Sequence, residues 1–308
     1  MIISRTPYRL SFFGGGTDYP AWYREEGGAV LSTTIDKYCY LSVRVLPPFF
    51  ELKHRVVWSH IESVWSIAEI LHPAVSEGLR FMGFDDAEGL EIHHQGDLPA
   101  RAGMGSSSAF AVGLIRALTG LRGETIDTHA LALRAIALEQ DVLREHVGSQ
   151  DQVASAYGGL NRIEFRPDGG ITVEPVRLAP TRLAALQAHL LLFYTGSSRL
   201  GSDVAADVVA NLPARRGPLR ALRAMFDQAL EILTGPGDLG AFGRLLHESW
   251  LLKRELSPLV TRPETDATYE RALAAGAFGG KLLGAGGTGF MVFFVPPPRQ
   301  RDVIRALA

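Results

Sequence analysis

Leu41 to Leu46 and Leu90 to His94 alternate apolar and polar positions with a period of two, which predicts half-buried strands. From Ser106 to Leu118 the chain is apolar nearly all round (Phe110, Ala111, Val112, Leu114, Ile115, Ala117, Leu118), the pattern of a helix buried on every side. Between Asp127 and His146, Leu131, Ala135, Leu138 and Val142 recur at spacings of four, three and four, which predicts an amphipathic helix. A strand at Leu160 to Phe165 and a turn at Pro167-Asp168-Gly169-Gly170 follow. After Pro175 to Pro180 the texture turns to Leu/Ala-rich helices, with strands at Leu190 to Tyr194 and Phe290 to Val295. That change places a domain boundary near residue 178, giving domains 1–178 and 179–308, closely packed because no repeat or low-complexity linker separates them.

Composition narrows the class. The 308 residues are 46% hydrophobic and 21% charged, ordinary for a globular protein, so disorder is excluded. A formal charge of −2 offers no general attraction for a nucleic-acid backbone, and no nucleic-acid partner is expected. The single Cys39 can form neither an intrachain disulfide nor a thiolate zinc cluster. No apolar run approaches the length of about 20 residues needed to span a bilayer, and Met1-Ile2-Ile3-Ser4-Arg5 has no secretory character, so a cytoplasmic protein without membrane contact is expected. The 33 glycines are the anomaly. They amount to roughly 11%, against about 7% in average proteins.

Eleven of those glycines fall in three clusters. Leu98-Pro99-Ala100-Arg101-Ala102-Gly103-Met104-Gly105-Ser106-Ser107-Ser108 precedes the buried helix. Its bare backbone, its hydroxyls and a helix N-terminus pointing back at it suit a phosphate; a glycine turn with Ser106 or Ser107 as N-cap accounts for the same residues. Gly279-Gly280-Lys281-Leu282-Leu283-Gly284-Ala285-Gly286-Gly287-Thr288-Gly289 contains Gly-x-Gly-x-x-Gly but runs into a strand, which excludes a dinucleotide-binding turn, and no Gly-Lys-Ser/Thr makes a Walker A loop. The third, Thr6 to Tyr19, sets Gly14-Gly15-Gly16 between Arg9 and Thr17-Asp18. Asp18 and Arg9 there suit a polyhydroxylated ligand; a solvated strand residue at Arg9 and a turn at Thr17-Asp18 account for the same residues.

Two acidic residues need explanation. Glu139 lies beside the apolar stripe of its helix, where a carboxylate needs a partner: an Arg, solvent, or a Mg²⁺ shared with a nucleotide. In Gly148-Ser149-Gln150-Asp151-Gln152, Ser149-x-x-Gln152 reads as a capping box with Asp151 in the first turn; equally, Asp151 could act on an attacking hydroxyl.

Taken in order, Pro7-Tyr8-Arg9 to Thr17-Asp18-Tyr19, Pro99 to Ala109, and Lys281 to Phe290 resemble the three motifs of the GHMP kinases, the superfamily of galactokinase, homoserine kinase and mevalonate kinase. The resemblance implies an α+β, two-domain fold: a ribosomal protein S5 domain 2-like N-terminal domain and a ferredoxin-like C-terminal domain, with ATP and acceptor between them. It assigns Gly103, Gly105, Ser106, Ser107 and Ser108 to the ATP phosphates, Ser107 and Glu139 to Mg²⁺, and Asp151 and Arg9 to catalysis. Gly15, Gly16, Thr17, Asp18, Lys281, Gly286 and Gly287 fall to the substrate. Gly15-Gly16 stand where galactokinases carry Glu-His, which argues against galactose. Phe13 to Asp18, Val147 to Gln152 and Tyr157 to Asn161 look like bacterial D-glycero-D-manno-heptose 7-phosphate kinases. These make the 1,7-bisphosphate for nucleotide-activated heptose in surface polysaccharides. A phosphorylated sugar needs a second anion site, for which Thr195-Gly196-Ser197-Ser198-Arg199, Lys253 and Lys281 are candidates. The expectation is a monomeric or homodimeric kinase. The alternatives are a kinase for an unphosphorylated sugar such as fucose or arabinose, and a non-catalytic sugar or nucleotide sensor. Trp58 to Trp65 is the candidate for adenine.

Overall fold

The computed structural model describes residues 1–100, 102–196 and 201–308. In chain order the elements are β1 (Ile2–Phe13), α1 (Pro20–Glu26), β2 (Gly28–Val45), β3 (His54–Val57), β4 (Ile61–Val64), α2 (Pro73–Phe81) and β5 (Leu90–Gly96). Then come α3 (Ser106–Leu121), α4 (Thr128–Ala137), α5 (Gln150–Tyr157), β6 (Leu160–Phe165), β7 (Ile171–Pro175), α6 (Pro180–His189) and β8 (Leu190–Tyr194). The chain ends with α7 (Gly201–Asn211), α8 (Arg216–Thr234), α9 (Gly240–Arg254), α10 (Pro263–Ala274), β9 (Gly279–Leu282), β10 (Phe290–Phe294) and α11 (Gln300–Leu307). Two compact units emerge, and β1 and β2 run through both: one unit holds Met1–Arg9, Thr34–Ala100 and Gly105–Gly158, the other Leu10–Thr33, a short stretch ending at Met104, and Gly159–Ala308.

In the first unit, β5 pairs antiparallel with the second half of β2 and parallel with β3, and β3 pairs antiparallel with β4. The alternation expected from Leu41 onward is present, with Leu41 and Val43 fully buried. Helix α3 is buried on nearly every side, as its composition predicts, and packs with α4 and α5. Gly113 lets it approach β1: a Cβ there would lie 2.9 Å from Thr6 Oγ1. The predicted helix from Asp127 starts as expected, with the Asp127 carboxylate accepting from Ala130 N–H at 2.9 Å. It does not stay α-helical to His146. At Leu138–Val142 it widens into a π turn, which the four-three-four spacing of its apolar residues does not reveal.

In the second unit, the first half of β2 pairs with β6, and β6 with β7 around the expected turn, where Asp168 accepts from Gly170 N–H at 2.8 Å. A separate antiparallel sheet runs β8-β10-β9. Residues 279–282, read as part of a glycine loop, form strand β9; the loop proper starts at Leu283. Phe242 of α9 meets Phe12 and Phe13 edge-on, with ring centroids 5.3 and 5.1 Å apart. The turn after β1 is built on bare backbone. Gly14 has φ +81°, and a Cβ on it would lie 1.7 Å from Ala29 O.

Gly14→Ala therefore meets both a backbone clash and a left-handed conformation. It is expected to destabilise the protein by more than about 3 kcal/mol in urea unfolding. Gly169→Ala, with φ +87° and nothing within 4 Å, meets only the conformational strain and should cost about 1 kcal/mol.

Candidate active site

The first unit gathers a charged cluster around the start of α3. Arg9, late in β1, forms a two-pronged ion pair with Asp151: Nε donates to Oδ1 at 2.6 Å and Nη2 to Oδ2 at 2.7 Å. The Arg9 side chain is 3% exposed and that of Asp151 23%, so the carboxylate faces outward from a buried clamp. Gly105 touches this pair: a Cβ added to it would lie 3.0 Å from Arg9 Cγ and 3.3 Å from Asp151 Oδ2. Gly105 also caps α3, in the left-handed region at φ +72° with no side-chain cap bond. The serines thus leave capping to Gly105, contrary to the turn reading in which Ser106 or Ser107 is the cap. Ser107 is exposed and Ser106 half-buried, while Ser108 is buried.

Glu139 is 1% exposed within the π turn. Its Oε2 accepts from Ser108 Oγ and from Gln152 Nε2, each at 2.6 Å. Oε1 accepts no hydrogen bond of normal geometry, although the Ser107 hydroxyl is close enough to favour the charged form. Burial dominates and pushes the Glu139 carboxyl up to about 7, against the hydrogen bonds that lower it and the nearby Glu145 that raises it further. The capping box read at Ser149 and Gln152 does not form. Ser149 Oγ accepts from Gln140 Nε2 at 3.1 Å, and Gln152 turns to Glu139. Gln152 is the partner that sequence reasoning missed, because its spacing from Ser149 matched a local motif.

An orphaned, fully buried carboxylate oxygen next to an exposed serine hydroxyl fits a hard divalent cation. Among the described residues no group of three or more His, Cys, Asp or Glu could hold a metal. An ion here would take Glu139, Ser107 and oxygens of a bound phosphate, the sparse protein ligation typical of Mg²⁺.

In the second unit the substrate candidates divide. Thr17 is fully buried and its hydroxyl is engaged by the backbone, donating to Gly14 O at 2.7 Å and accepting from Ala29 N–H at 3.1 Å. It shapes the Gly14–Asp18 turn. Asp18, 2% exposed, accepts from Gly16 N–H at 2.9 Å, and Gly15 and Gly16 are half-buried. Lys281 is 4% exposed and donates to Phe12 O at 3.1 Å. Gly286 N–Cα backbone lies against Val260, where a Cβ would come within 2.7 Å of its O, and Gly287 N–H donates to Val260 O at 2.9 Å. Gly103 abuts Leu283 O, 2.6 Å from where its Cβ would stand. Ser198 and Arg199 lie outside the described residues. Trp58 donates to Glu62 Oε1 at 2.7 Å and meets His72 edge-on, and His72 stacks on Phe110 of α3 with centroids 4.8 Å apart.

Comparison with known proteins matches residues 63–159 to the N-terminal domain of GHMP kinases and residues 221–308 to their C-terminal domain, together more than half of the chain. The D-glycero-alpha-D-manno-heptose 7-phosphate kinase of Campylobacter jejuni is 27% identical over 327 residues, covering 99% of this chain and 93% of that protein. The bifunctional fucokinase/GDP-fucose pyrophosphorylase of Arabidopsis thaliana is 26% identical, covering 97% of this chain, which spans only 30% of that longer protein. The crystal structure of a D-glycero-D-manno-heptose 1-phosphate kinase from Bacteroides thetaiotaomicron superposes with a TM-score of 0.78 at 24% identity, over 100% of this chain and 92% of that one. These matches establish the α+β, two-domain kinase fold that the motifs imply.

Glu139 carries a pH signature. Below pH 4.5 it is protonated folded or unfolded and contributes nothing; between 4.5 and about 7 only the folded form holds the proton, so stability falls as pH rises. At about 1.4 kcal/mol per pH unit the loss reaches about 3 kcal/mol above pH 7. In EDTA, Glu139→Gln should flatten that decline in urea unfolding between pH 5 and about 8. It should also abolish stabilisation by Mg²⁺ with nucleotide.

Proposed function

Because this chain belongs to the GHMP kinases, ATP-dependent enzymes that phosphorylate a hydroxyl, we propose that it transfers the γ-phosphoryl group of ATP to the anomeric hydroxyl of D-glycero-D-manno-heptose 7-phosphate. The product is the 1,7-bisphosphate. The observation that carries the catalytic part is the Arg9–Asp151 clamp set against Gly105 at the start of α3. It puts an oriented carboxylate beside a helix N-terminus with bare backbone, the arrangement needed where a hydroxyl must be aimed at a phosphate. Asp151 receives or directs the acceptor proton. Arg9 fixes both carboxylate oxygens so that the proton acceptor does not rotate away. Gly103, Gly105 and the serines Ser106 to Ser108 line the phosphates, Ser108 through its main chain because its hydroxyl serves Glu139. Mg²⁺, held by Ser107 and Glu139, would neutralise charge on the phosphate oxygens. The aromatic group around Trp58 and His72 supports an adenine site beside α3.

The acceptor assignment is supported by the heptose phosphate kinase relative, which matches along nearly the whole chain, and by Gly15-Gly16 in place of hexose-gripping side chains. Asp18, Gly16 and the Gly286-Gly287 loop would hold sugar hydroxyls, and Ser198 and Arg199 the 7-phosphate. This reading keeps 1–178 as the N-terminal, ATP-binding GHMP kinase domain and 179–308 as the C-terminal domain. The similarity to a fucokinase favours a second reading, an unphosphorylated sugar as acceptor.

An ADP-release screen over free and phosphorylated hexoses and heptoses, with and without Mg²⁺, tests the assignment; no Mg²⁺-dependent ADP release with any sugar defeats it. Asp151→Asn should lower kcat by about 10²-fold or more with ATP affinity nearly unchanged. Arg199→Ala should raise KM about tenfold or more for a phosphorylated acceptor, and equal effects on both acceptor classes would favour the unphosphorylated sugar.

A further inference from the structure

A lysine in the last turn of a helix ordinarily extends into water, where its charge complements the helix dipole. Lys253, in the last turn of α9, does the opposite and is 8% exposed. Its Nζ donates to Leu282 O at 2.9 Å and to Gly284 O at 2.6 Å, and it lies 6.0 Å from the ring centre of Trp250. Removing an ammonium from water costs several kcal/mol unless its hydrogens are engaged, so the two carbonyls are held to it as firmly as it is to them.

Those carbonyls flank Leu283, whose N–H donates to Phe290 O at 2.9 Å and closes the loop between β9 and β10. The loop in turn supports the segment before α3. Gly284, at φ +68°, packs against Gly103, with 2.7 Å from its added Cβ to Gly103 Cα, and Phe290 N–H donates to Ala102 O at 3.0 Å. Main chain rests on main chain, with no side chain between to absorb a shift. The position of the 282–284 main chain, fixed at the Leu282 and Gly284 carbonyls, is therefore transmitted directly to Gly103.

We propose that Lys253 is a positioning residue for the ATP phosphates: its ammonium sets the Leu282 and Gly284 carbonyls, and through them the Gly103 main chain, without touching the nucleotide. This rests on the kinase reading above and adds to it a residue far along the chain from the glycine-serine loop. A lysine whose role is the 7-phosphate would instead present its ammonium to solvent.

The test is calorimetric titration of the full chain with a non-hydrolysable Mg-ATP analogue, together with KM for the sugar phosphate. Lys253→Met removes the charge at nearly constant volume and should weaken nucleotide binding about tenfold or more, a factor well above any rise in acceptor KM. Lys253→Arg keeps the charge but displaces the donors; it guards against a Met variant that fails to fold, and should weaken nucleotide binding by about threefold or more, again selectively. Nucleotide affinity within twofold of wild type in whichever variants fold, or equal loss for nucleotide and sugar, overturns the inference. A wild-type chain that binds no ATP analogue defeats the kinase reading instead.

Discussion

Close approach of one stretch of bare main chain to another is the constraint on which this protein depends. Gly14 against Ala29, Gly103 against Leu283, Gly284 against Gly103 and Gly289 against Ala102 all sit where a Cβ would come within 3 Å of a backbone atom. Each contact joins segments distant in sequence. A turn made only for flexibility would tolerate alanine at modest cost, as at Gly169, where nothing lies within 4 Å. At these four positions glycine is a packing requirement rather than a source of flexibility.

Buried charge is the second organising force, and it is satisfied in three ways. Arg9 and Asp151 neutralise each other in a two-pronged pair. Lys253 and Lys281 each donate to main-chain carbonyls. Glu139 is held through one oxygen by Ser108 and Gln152, and its raised pKa records the cost of burying the other. In the last arrangement Glu139 Oε1 is left without a hydrogen bond of normal geometry among the described residues, the feature on which the proposed metal site rests. Asp151 and Gln152, adjacent in the first turn of α5, reach toward Arg9 and Glu139 respectively, so a single helix start completes both the ion pair and the hydrogen bonding of the buried carboxylate.

Much of this was legible in the chain. Period-two runs located β5 and the second half of β2, the all-round apolar stretch located α3, and the strand after the last glycine cluster excluded a dinucleotide turn. Three motifs in order carried the family resemblance. The partners of individual residues were not legible. Ser149 and Gln152 satisfied a local capping pattern but bond to Gln140 and Glu139; Thr17 had the look of a ligand-facing residue but bonds to Gly14 and Ala29.

By itself the sequence determined several of the strands and helices, where glycine clusters, and which polar residues demand a partner, because periodicity, glycine and charge are local properties. Tertiary structure alone decided which partner each received. The π turn that carries Glu139 inward, the pairing of Arg9 with a residue 142 positions away, and the capture of Lys253 by two carbonyls all depend on competition among many possible donors and acceptors. Packing geometry resolves that competition, since a hydrogen bond needs its atoms within about 3 Å, and spacing along the chain carries no record of distance across it.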